Sequence, residues 1–124
     1  MILVDTSVWV RGLAGRQPYK DDLNKILREH RVTAHELVYG ELLIGDNGGR
    51  VKMLSDYAAL VFAKTVPHRE VVDMVLARRL YGRRLSWIDA HLLAAALAER
   101  VQLYTADGPL IETAGECGVL YTPA

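Results

Sequence analysis

The sequence predicts an α/β protein with a three-layer α/β/α arrangement, in which a central parallel sheet lies between helices. The chain opens with an apolar run, Met1 to Val4, that stops at Asp5. An uninterrupted run of this kind is typical of a strand buried on both faces of a parallel sheet. Further apolar runs alternate with segments of helical spacing, an order that favours parallel strands joined by helices. Five strands are expected, at residues 1–4, 31–34, 64–67, 101–105 and 118–121.

Helices are expected between these strands, because apolar residues recur there every three or four positions. They cover residues 8–11, a segment that Pro18 opens, and residues 35–45, 50–61, 70–81 and 86–99. Thr6 or Ser7 can cap the first helix, since a side-chain oxygen at that position accepts a hydrogen bond from the first turn. The last helix is apolar on almost every side, which predicts that it is buried.

Composition limits the class of protein. The 124 residues, 51% of them hydrophobic, predict a single domain over residues 1–124 with a full core. One cysteine, Cys117, excludes a disulfide framework and fits a reducing compartment. No apolar run approaches the ~20 residues of a membrane span, and no basic segment precedes the first run, so a cytoplasmic protein is expected. Fifteen basic and 15 acidic residues cancel, so contact with RNA must come from local clusters.

Asp5 and Glu41 are the first two candidate functional residues. In open α/β sheets ligands bind beyond the carboxyl ends of the strands, where Asp5 is expected, although a turn or cap role explains it equally well. The helical neighbours of Glu41 are all apolar or small, so its carboxylate is costly unless it is paired, hydrogen-bonded or bound to a metal. The alternatives are a structural salt bridge or a partly exposed position at the edge of the helix. Glu36 lies roughly 140° away around the helix and cannot face the same site.

Asp89 and Asp107 are the other two candidates. Asp89 stands three residues after Ser86, which is the spacing of a capping box, at the start of the most apolar helix. That helix directs its first turn toward the edge of the sheet, so a site role and a capping role are both open. Asp107 follows the fourth strand in an Asp-Gly-Pro sequence, which is also ordinary turn chemistry.

The four acids together predict a metal-dependent nuclease. Two of them follow strands and two lie on helices that lead toward the same edge. Clustered negative charges need a counter-charge, and oxygen ligands without cysteine or paired histidines favour Mg²⁺ or Mn²⁺ over zinc. Ions held by carboxylates can activate water and stabilise the leaving oxygen of a phosphodiester. The predicted metal ligands and catalytic residues are therefore Asp5, Glu41, Asp89 and Asp107.

Four segments spread over nearly the whole chain carry a family resemblance. They are Ile2 to Trp9 (ILVDTSVW), Gly40 to Gly45 (GELLIG), Trp87 to Ala94 (WIDAHLLA) and Tyr104 to Asp107 (YTAD). In this order they resemble the four motifs of PIN-domain ribonucleases, and most of all those of VapC-type toxins from toxin–antitoxin modules.

The resemblance implies a PIN fold, cleavage of RNA that depends on Mg²⁺ or Mn²⁺, and a cognate VapB-type antitoxin that covers the site. It also implies a homodimer, for which segments 51–60 and 71–80 could supply apolar surface. The family's acidic quartet matches Asp5, Glu41, Asp89 and Asp107. Its accompanying hydroxyl residues, which would orient ligands, match Thr6 and Thr105.

Basic residues near these motifs are candidate RNA contacts. Arg11 follows the first motif, and Arg83 and Arg84 lie in a basic cluster around Tyr81, although a solvated surface explains such charges as well. Trp87 stands beside Asp89, where packing and base stacking are both open. Two other classes of function stay open: a non-catalytic module that binds RNA or protein, and a metal-dependent DNA nuclease or phosphatase.

Overall fold

The structure is a computed structural model, and it describes residues 1–123. This part of the chain forms three strands and seven helices, with at least two helices between successive strands. In order they are β1 (Ile2–Val4), α1 (Thr6–Leu13), α2 (Tyr19–Arg28), β2 (Val32–Thr33), α3 (Glu36–Ile44), α4 (Val51–Ala58), α5 (His68–Ala77), α6 (Trp87–Glu99), β3 (Gln102–Tyr104) and α7 (Gly108–Glu116). The α/β class predicted from the sequence is confirmed.

The sheet is parallel and has β1 at its centre, in the order β2-β1-β3. Ile2 faces Val32 on one side and Gln102 on the other, and all three residues of β1 are fully buried. The apolar run at the start of the chain therefore forms the central strand, as an unbroken apolar run predicts.

The expected number of about five strands is wrong for the described part of the chain, because the two outer segments do not form strands. Phe62 pairs with Ala34 and Leu120 pairs with Leu103, each through a single parallel bridge. The chain leaves the sheet on both sides of each bridge, so neither segment continues the ladder. The segment expected at 64–67 in fact joins the sheet earlier, where Ala63 donates to the carbonyl of Ala34.

Two features of the helices differ from the sequence-based prediction. The first helix begins at Thr6 with Asp5 at the N-cap position, so neither Thr6 nor Ser7 caps it. Helix α7 was not predicted, although Pro109 in its first turn and Asp107 at its N-cap are typical helix-start signals. Asp-Gly-Pro is typical of a turn as well as of a helix start, and the sequence-based prediction included only the turn.

Helix α6 is the buried helix that its composition predicts. Its residues 90–96 are all buried, and it packs against β3 and α5. Ser86 and Asp89 form a capping box at its start, and Arg100 ends it in the left-handed conformation, with φ of 56°. No helix in residues 1–123 is long and apolar enough to cross a membrane.

A tyrosine on α4 fixes the start of α3. The hydroxyl of Tyr57, a residue only 2% exposed, accepts a hydrogen bond from the backbone N–H of His35 at 3.0 Å. The Nδ1 atom of His35 in turn accepts from the N–H of Leu37 in the first turn of α3. Burial raises the pKa of Tyr57 to about 12, so its hydroxyl stays protonated at neutral pH. This contact holds the helix that carries Glu41.

We expect Tyr57→Phe to lower the free energy of unfolding by about 1–3 kcal/mol, because it leaves the buried N–H of His35 without an acceptor. Urea unfolding followed by circular dichroism measures the change. Tyr39→Phe is the matched control, since within residues 1–123 the Tyr39 hydroxyl makes no hydrogen bond, although its ring stacks on that of Tyr57 at 5.9 Å. Equal stability of the two variants would contradict this role of the Tyr57 hydroxyl.

Candidate functional site

Four carboxylates line one crevice of about 460 Å³, which we call the acidic crevice. Asp5 directly follows β1 and Asp107 comes shortly after β3, and these parallel strands are neighbours. Glu41 lies on α3 and Asp89 in the first turn of α6. The structure therefore brings together all four acids that the sequence singles out. The full lining consists of Asp5, Thr6, Ser7, Val10, Arg11, Glu41, Arg84, Ser86, Ile88, Asp89 and Asp107.

Asp5 is the most enclosed of the four acids, with 6% of its surface exposed. Its Oδ2 atom accepts hydrogen bonds from the hydroxyls of Ser7, at 2.6 Å, and Thr105, at 2.9 Å. The Ser7 hydroxyl also accepts from the N–H of Ala106, at 3.0 Å. These bonds tie the segment after β1 to the segment after β3. Ser7 is thus a site residue that the sequence analysis missed, because a hydroxyl after a strand was interpreted as a helix cap.

Glu41 is half-buried and is held from the neighbouring helix. Its Oε1 atom accepts a hydrogen bond of 2.7 Å from the hydroxyl of Thr6, the first residue of α1. The structure records no ion pair for Glu41, so the alternative of a structural salt bridge does not hold within residues 1–123. Glu36, five residues earlier, is exposed and does not line the acidic crevice, as its position on the helix predicts.

Asp89 and Asp107 each cap a helix while lining the acidic crevice. The Oδ2 atom of Asp89 accepts a hydrogen bond from the N–H of Ser86 at 2.9 Å, and the Oγ atom of Ser86 accepts one from the N–H of Asp89 at 3.0 Å. The Oδ2 atom of Asp107 accepts from the N–H of Leu110 at 3.1 Å, at the start of α7. The capping role and the place in the crevice were alternatives in the sequence; the structure has both.

The four carboxylates share one pattern of hydrogen bonding. In each, one oxygen accepts a bond from the protein: Oδ2 of Asp5, Asp89 and Asp107, and Oε1 of Glu41. Within residues 1–123 no hydrogen bond or ion pair is recorded for the other oxygen of any of them. Each side chain is therefore anchored by one oxygen and presents the second as an acceptor.

Negative charge accumulates in the acidic crevice. Burial raises the pKa of Asp89, and the nearby charges of Asp5 and Asp107 raise it further, while the hydrogen bond from Ser86 opposes the shift. A cation is the counter-charge that such a group needs, and carboxylate oxygens without sulfur or imidazole suit Mg²⁺ or Mn²⁺. The donor chemistry thus fits these ions. Within residues 1–123, no group of three or more His, Cys, Asp or Glu side chains is placed to hold an ion in this conformation.

The three arginines predicted as RNA contacts have different positions. Arg11 lines the acidic crevice and donates to the carbonyl of Ser7 at 2.9 Å. Arg84 also lines it, and its side chain has no hydrogen bond or ion pair with residues 1–123. Arg83 lies outside the crevice lining, where it forms ion pairs with Glu112 and Glu116 of α7. A contact between Arg83 and RNA would have to compete with these two glutamates.

Histidines take no part in the described crevice lining. His35 and His91 are buried, and burial lowers the pKa of both, so both are neutral at pH 7. Each has one ring nitrogen without a hydrogen-bond partner in residues 1–123, Nε2 in His35 and Nδ1 in His91. Both histidines are therefore buried residues outside the crevice lining.

Comparison with known proteins connects this geometry to a family. The chain is 38% identical over 120 residues to proteins named Ribonuclease VapC32 from two strains of Mycobacterium tuberculosis, CDC 1551 / Oshkosh and ATCC 25618 / H37Rv. In both cases the match covers 96% of this chain and 94% of the relative.

The fold and the family profile agree with these relatives. The crystal structure of PAE2754 from Pyrobaculum aerophilum superposes with a TM-score of 0.58, over 90% of this chain and 82% of that one, at 17% identity. That identity supports a common fold and nothing finer. The profile of the PIN domain matches residues 2–116, almost the entire sequence. The chain belongs to the PIN-domain family, as one of its VapC-type members.

Proposed function

We propose that the chain is an endoribonuclease toxin that hydrolyses phosphodiester bonds of RNA at the acidic crevice. The observation that carries the proposal is the shared pattern of the four carboxylates, each anchored by one oxygen with the other left as an acceptor. Acids that served only as caps would not need to meet in one crevice. The relatives named Ribonuclease VapC32 support RNA as the substrate.

The proposed cofactor is Mg²⁺ or Mn²⁺, with Asp5, Glu41, Asp89 and Asp107 as its ligands, directly or through water. When bound, such a cation neutralises charge on the scissile phosphate and makes water a better nucleophile. The same four residues are the proposed catalytic residues. No histidine lines the described part of the crevice, so the carboxylates are the only protein groups there with the chemistry to accept a proton.

Hydroxyl groups behind the carboxylates are proposed to position them. Thr6 holds Glu41, while Thr105 and Ser7 hold Asp5. A hydrogen bond to one oxygen restricts rotation of the carboxylate and directs the other oxygen into the crevice. Such supporting contacts raise affinity for a metal because less side-chain freedom is lost on binding.

The substrate surface must overcome repulsion between RNA and the acids. Arg11 and Arg84 line the same crevice and are the proposed contacts for the phosphates on either side of the scissile bond. We keep Arg83 out of this set because its ion pairs with Glu112 and Glu116 occupy its guanidinium group.

The proposal extends to partners and location. As a VapC-type toxin, the protein is proposed to bind a cognate VapB-type antitoxin that covers the acidic crevice. We also propose that residues 1–124 form one domain, which the match of one PIN domain to residues 2–116 supports. The cytoplasm is the proposed location.

A homodimer is proposed through apolar side chains at the corner between α3 and α4. Leu43, Ile44 and Val51 are 51%, 88% and 73% exposed there. Of the two segments expected to supply dimer surface, 51–60 places Leu54 and Tyr57 in the core and leaves Val51 as its exposed end. A second copy of the chain would cover this apolar corner.

We expect Asp5→Asn to reduce cleavage of RNA in Mg²⁺ by more than about 100-fold, because it removes a proposed ligand while keeping its shape. Purified protein is incubated with total cellular RNA and, in parallel, with single-stranded DNA. Each nucleic acid is tested once with Mg²⁺ and once with EDTA. Asp73→Asn, an exposed acid of α5, is the matched control and should cleave normally.

Each outcome of this assay has a meaning. Unchanged cleavage by Asp5→Asn would contradict the assigned site. Cleavage of DNA alone would make the protein a DNA nuclease. RNA binding without cleavage by the wild-type protein in either Mg²⁺ or Mn²⁺ would favour the non-catalytic module.

We expect Asp89→Asn to raise the melting temperature in EDTA at neutral pH by roughly 2–8 °C, because burial and the charges of Asp5 and Asp107 disfavour ionised Asp89. Asparagine still accepts from the N–H of Ser86. Calorimetry measures both proteins, with Asp73→Asn as the neutral control. The pKa of Asp89 is raised in the folded state, so its destabilising effect is present above that pKa and absent below the usual value of 3.8.

The stability difference between Asp89→Asn and the wild type should therefore shrink as the pH is lowered. Excess Mg²⁺ should reverse its sign, since only the wild type keeps the full ligand set. A lower melting temperature of the variant in EDTA at neutral pH would identify Asp89 as a structural acid alone.

We expect Ile44→Asp to convert a dimer into a monomer at micromolar concentration, because a charge at the centre of a buried apolar contact is costly. Sedimentation velocity measures the change. Leu76→Asp is the matched control, since Leu76 of α5 is 62% exposed but lies in the other expected segment. Dissociation of the Leu76 variant alone would move the interface to α5, and a monomeric wild type would exclude the dimer.

A further inference from the structure

The loop between α5 and α6, residues 78–86, is held in an unusual backbone conformation. Arg79 and Arg84 have positive φ angles of 54° and 64°, and Gly82 between them has 73°. For residues other than glycine this conformation is unfavourable, so it persists where the surrounding structure imposes it. Here it carries the chain from the end of α5 to the acidic crevice, with Arg84 at the junction.

A small cavity of about 130 Å³ lies under this loop, and we call it the aromatic cleft. Tyr81, Arg84 and Trp87 line it together with the apolar side chains of Val75, Leu80, Leu85 and Ala90 and the residues Gly82, Arg83 and Ser86. Arg84 and Ser86 also line the acidic crevice, so the two depressions share a wall. Whatever occupies the acidic crevice has the aromatic cleft beside it.

Two aromatic side chains of the aromatic cleft are exposed to solvent. Tyr81 is 62% exposed and Trp87 is 42% exposed, whereas Trp9, the other tryptophan, is 4% exposed in the core. The ring centroids of His68 and His91 lie 5.0 and 5.3 Å from that of Trp87, so both rings pack against the indole. Apolar ring surface left in water is available for stacking, and the support keeps the indole in place for it.

The positive charge of Arg84 indicates which kind of ligand the aromatic cleft can bind. Within residues 1–123 the side chain of Arg84 makes no hydrogen bond or ion pair, while its neighbour Arg83 is neutralised by Glu112 and Glu116. A positive charge between an exposed tyrosine and an exposed tryptophan fits a ligand that combines a planar ring with an anion. A nucleotide is such a ligand, since bases stack on aromatic rings and phosphates bind arginine.

We propose that the aromatic cleft binds one unstacked base of single-stranded RNA next to the scissile phosphate, while Arg84 contacts the phosphate between the two depressions. The proposal rests on the proposed ribonuclease function and names a subsite for its substrate. Stacking needs a base that is free of its neighbours, so the cleft favours single-stranded segments and loops over duplex RNA. Its lining is mostly apolar, so it accepts different bases.

Tryptophan fluorescence tests the proposal without relying on cleavage. The Asp5→Asn protein is titrated in Mg²⁺ with a hexamer of uridine, and with a hexamer of the same phosphates in which every nucleotide is abasic. We expect the uridine hexamer to quench the emission of exposed Trp87, and the abasic hexamer to cause no such quenching. Trp87→Leu, which leaves only buried Trp9, should show none.

Affinities of further variants separate stacking from charge. Tyr81→Leu and Trp87→Leu should each weaken binding of the hexamer about 5- to 150-fold, the range for loss of one stacked base. Phe62→Leu, an exposed aromatic outside the cleft, is the control and should bind normally. Arg84→Ala should lower the slope of log K against log salt by about 0.7, the value for one phosphate of a single strand.

Arg100→Ala is the matched control for Arg84→Ala. Arg100 is also an exposed arginine with a left-handed backbone, φ 56°, but it lies at the opposite end of α6. Its removal should leave the salt slope unchanged. Equal slopes for the two variants would overturn the role of Arg84.

The outcomes distinguish this inference from the proposed function. Cleavage of RNA by the wild-type protein without quenching of Trp87 would overturn the aromatic cleft and leave the ribonuclease intact. If quenching depends on the base but the wild-type protein cleaves no RNA, the aromatic cleft would stand and the ribonuclease function would be overturned. Equal quenching by an acidic peptide of the same length would identify a protein-binding surface and would overturn the inference.

Discussion

The hydrogen bonds that meet at Oδ2 of Asp5 hold the candidate site together. Ser7 and Thr105 both donate to this atom, one from the segment after β1 and one from the segment after β3. The parallel pairing of these strands brings their ends close, but it does not fix the directions of the side chains that follow. The shared carboxylate oxygen fixes these directions together with the N–H groups of Ala106 and Asp107, which donate to the hydroxyls of Ser7 and Thr105. The geometry of the crevice therefore depends on a buried contact and not on exposed charges.

Structural and functional roles coincide in the acids of this crevice. Asp89 and Asp107 satisfy N–H groups at the starts of α6 and α7, which any helix start requires. The bond that caps the helix also fixes one oxygen of the carboxylate and leaves the second without a hydrogen-bond partner among residues 1–123. A capping pattern in a sequence is therefore no argument against a site residue when the helix starts at the edge of the sheet.

The sequence was sufficient for the elements whose signals are local. The apolar run before Asp5 and the apolar helix after Ser86 identified β1 and α6, and the positions of the four acids after strands and on helices singled them out before the family resemblance matched them. What it missed depends on contacts between distant parts of the chain. Ser7 is a site residue because Ala106 and Asp5 meet it, and Arg83 is withdrawn from the crevice because α7 brings two glutamates to it. The two outer segments form only single bridges with the sheet, because the length of strand pairing depends on where the chain leaves the sheet, and the sequence does not show that point.

Charge distribution links cation and substrate in the proposed mechanism. The chain has no net charge, and the acidic crevice by itself repels a phosphate. Arg11 and Arg84 at its wall offset only part of that repulsion. A cation on the carboxylates would reverse the sign of the field at the place where the scissile phosphate must lie. Cation and RNA would then each raise the affinity of the other, since a coupling free energy between two sites is reciprocal. Burial raises the pKa of Asp89, and the charges of Asp5 and Asp107 raise it further, so a cation bound beside this carboxylate would favour its ionised form.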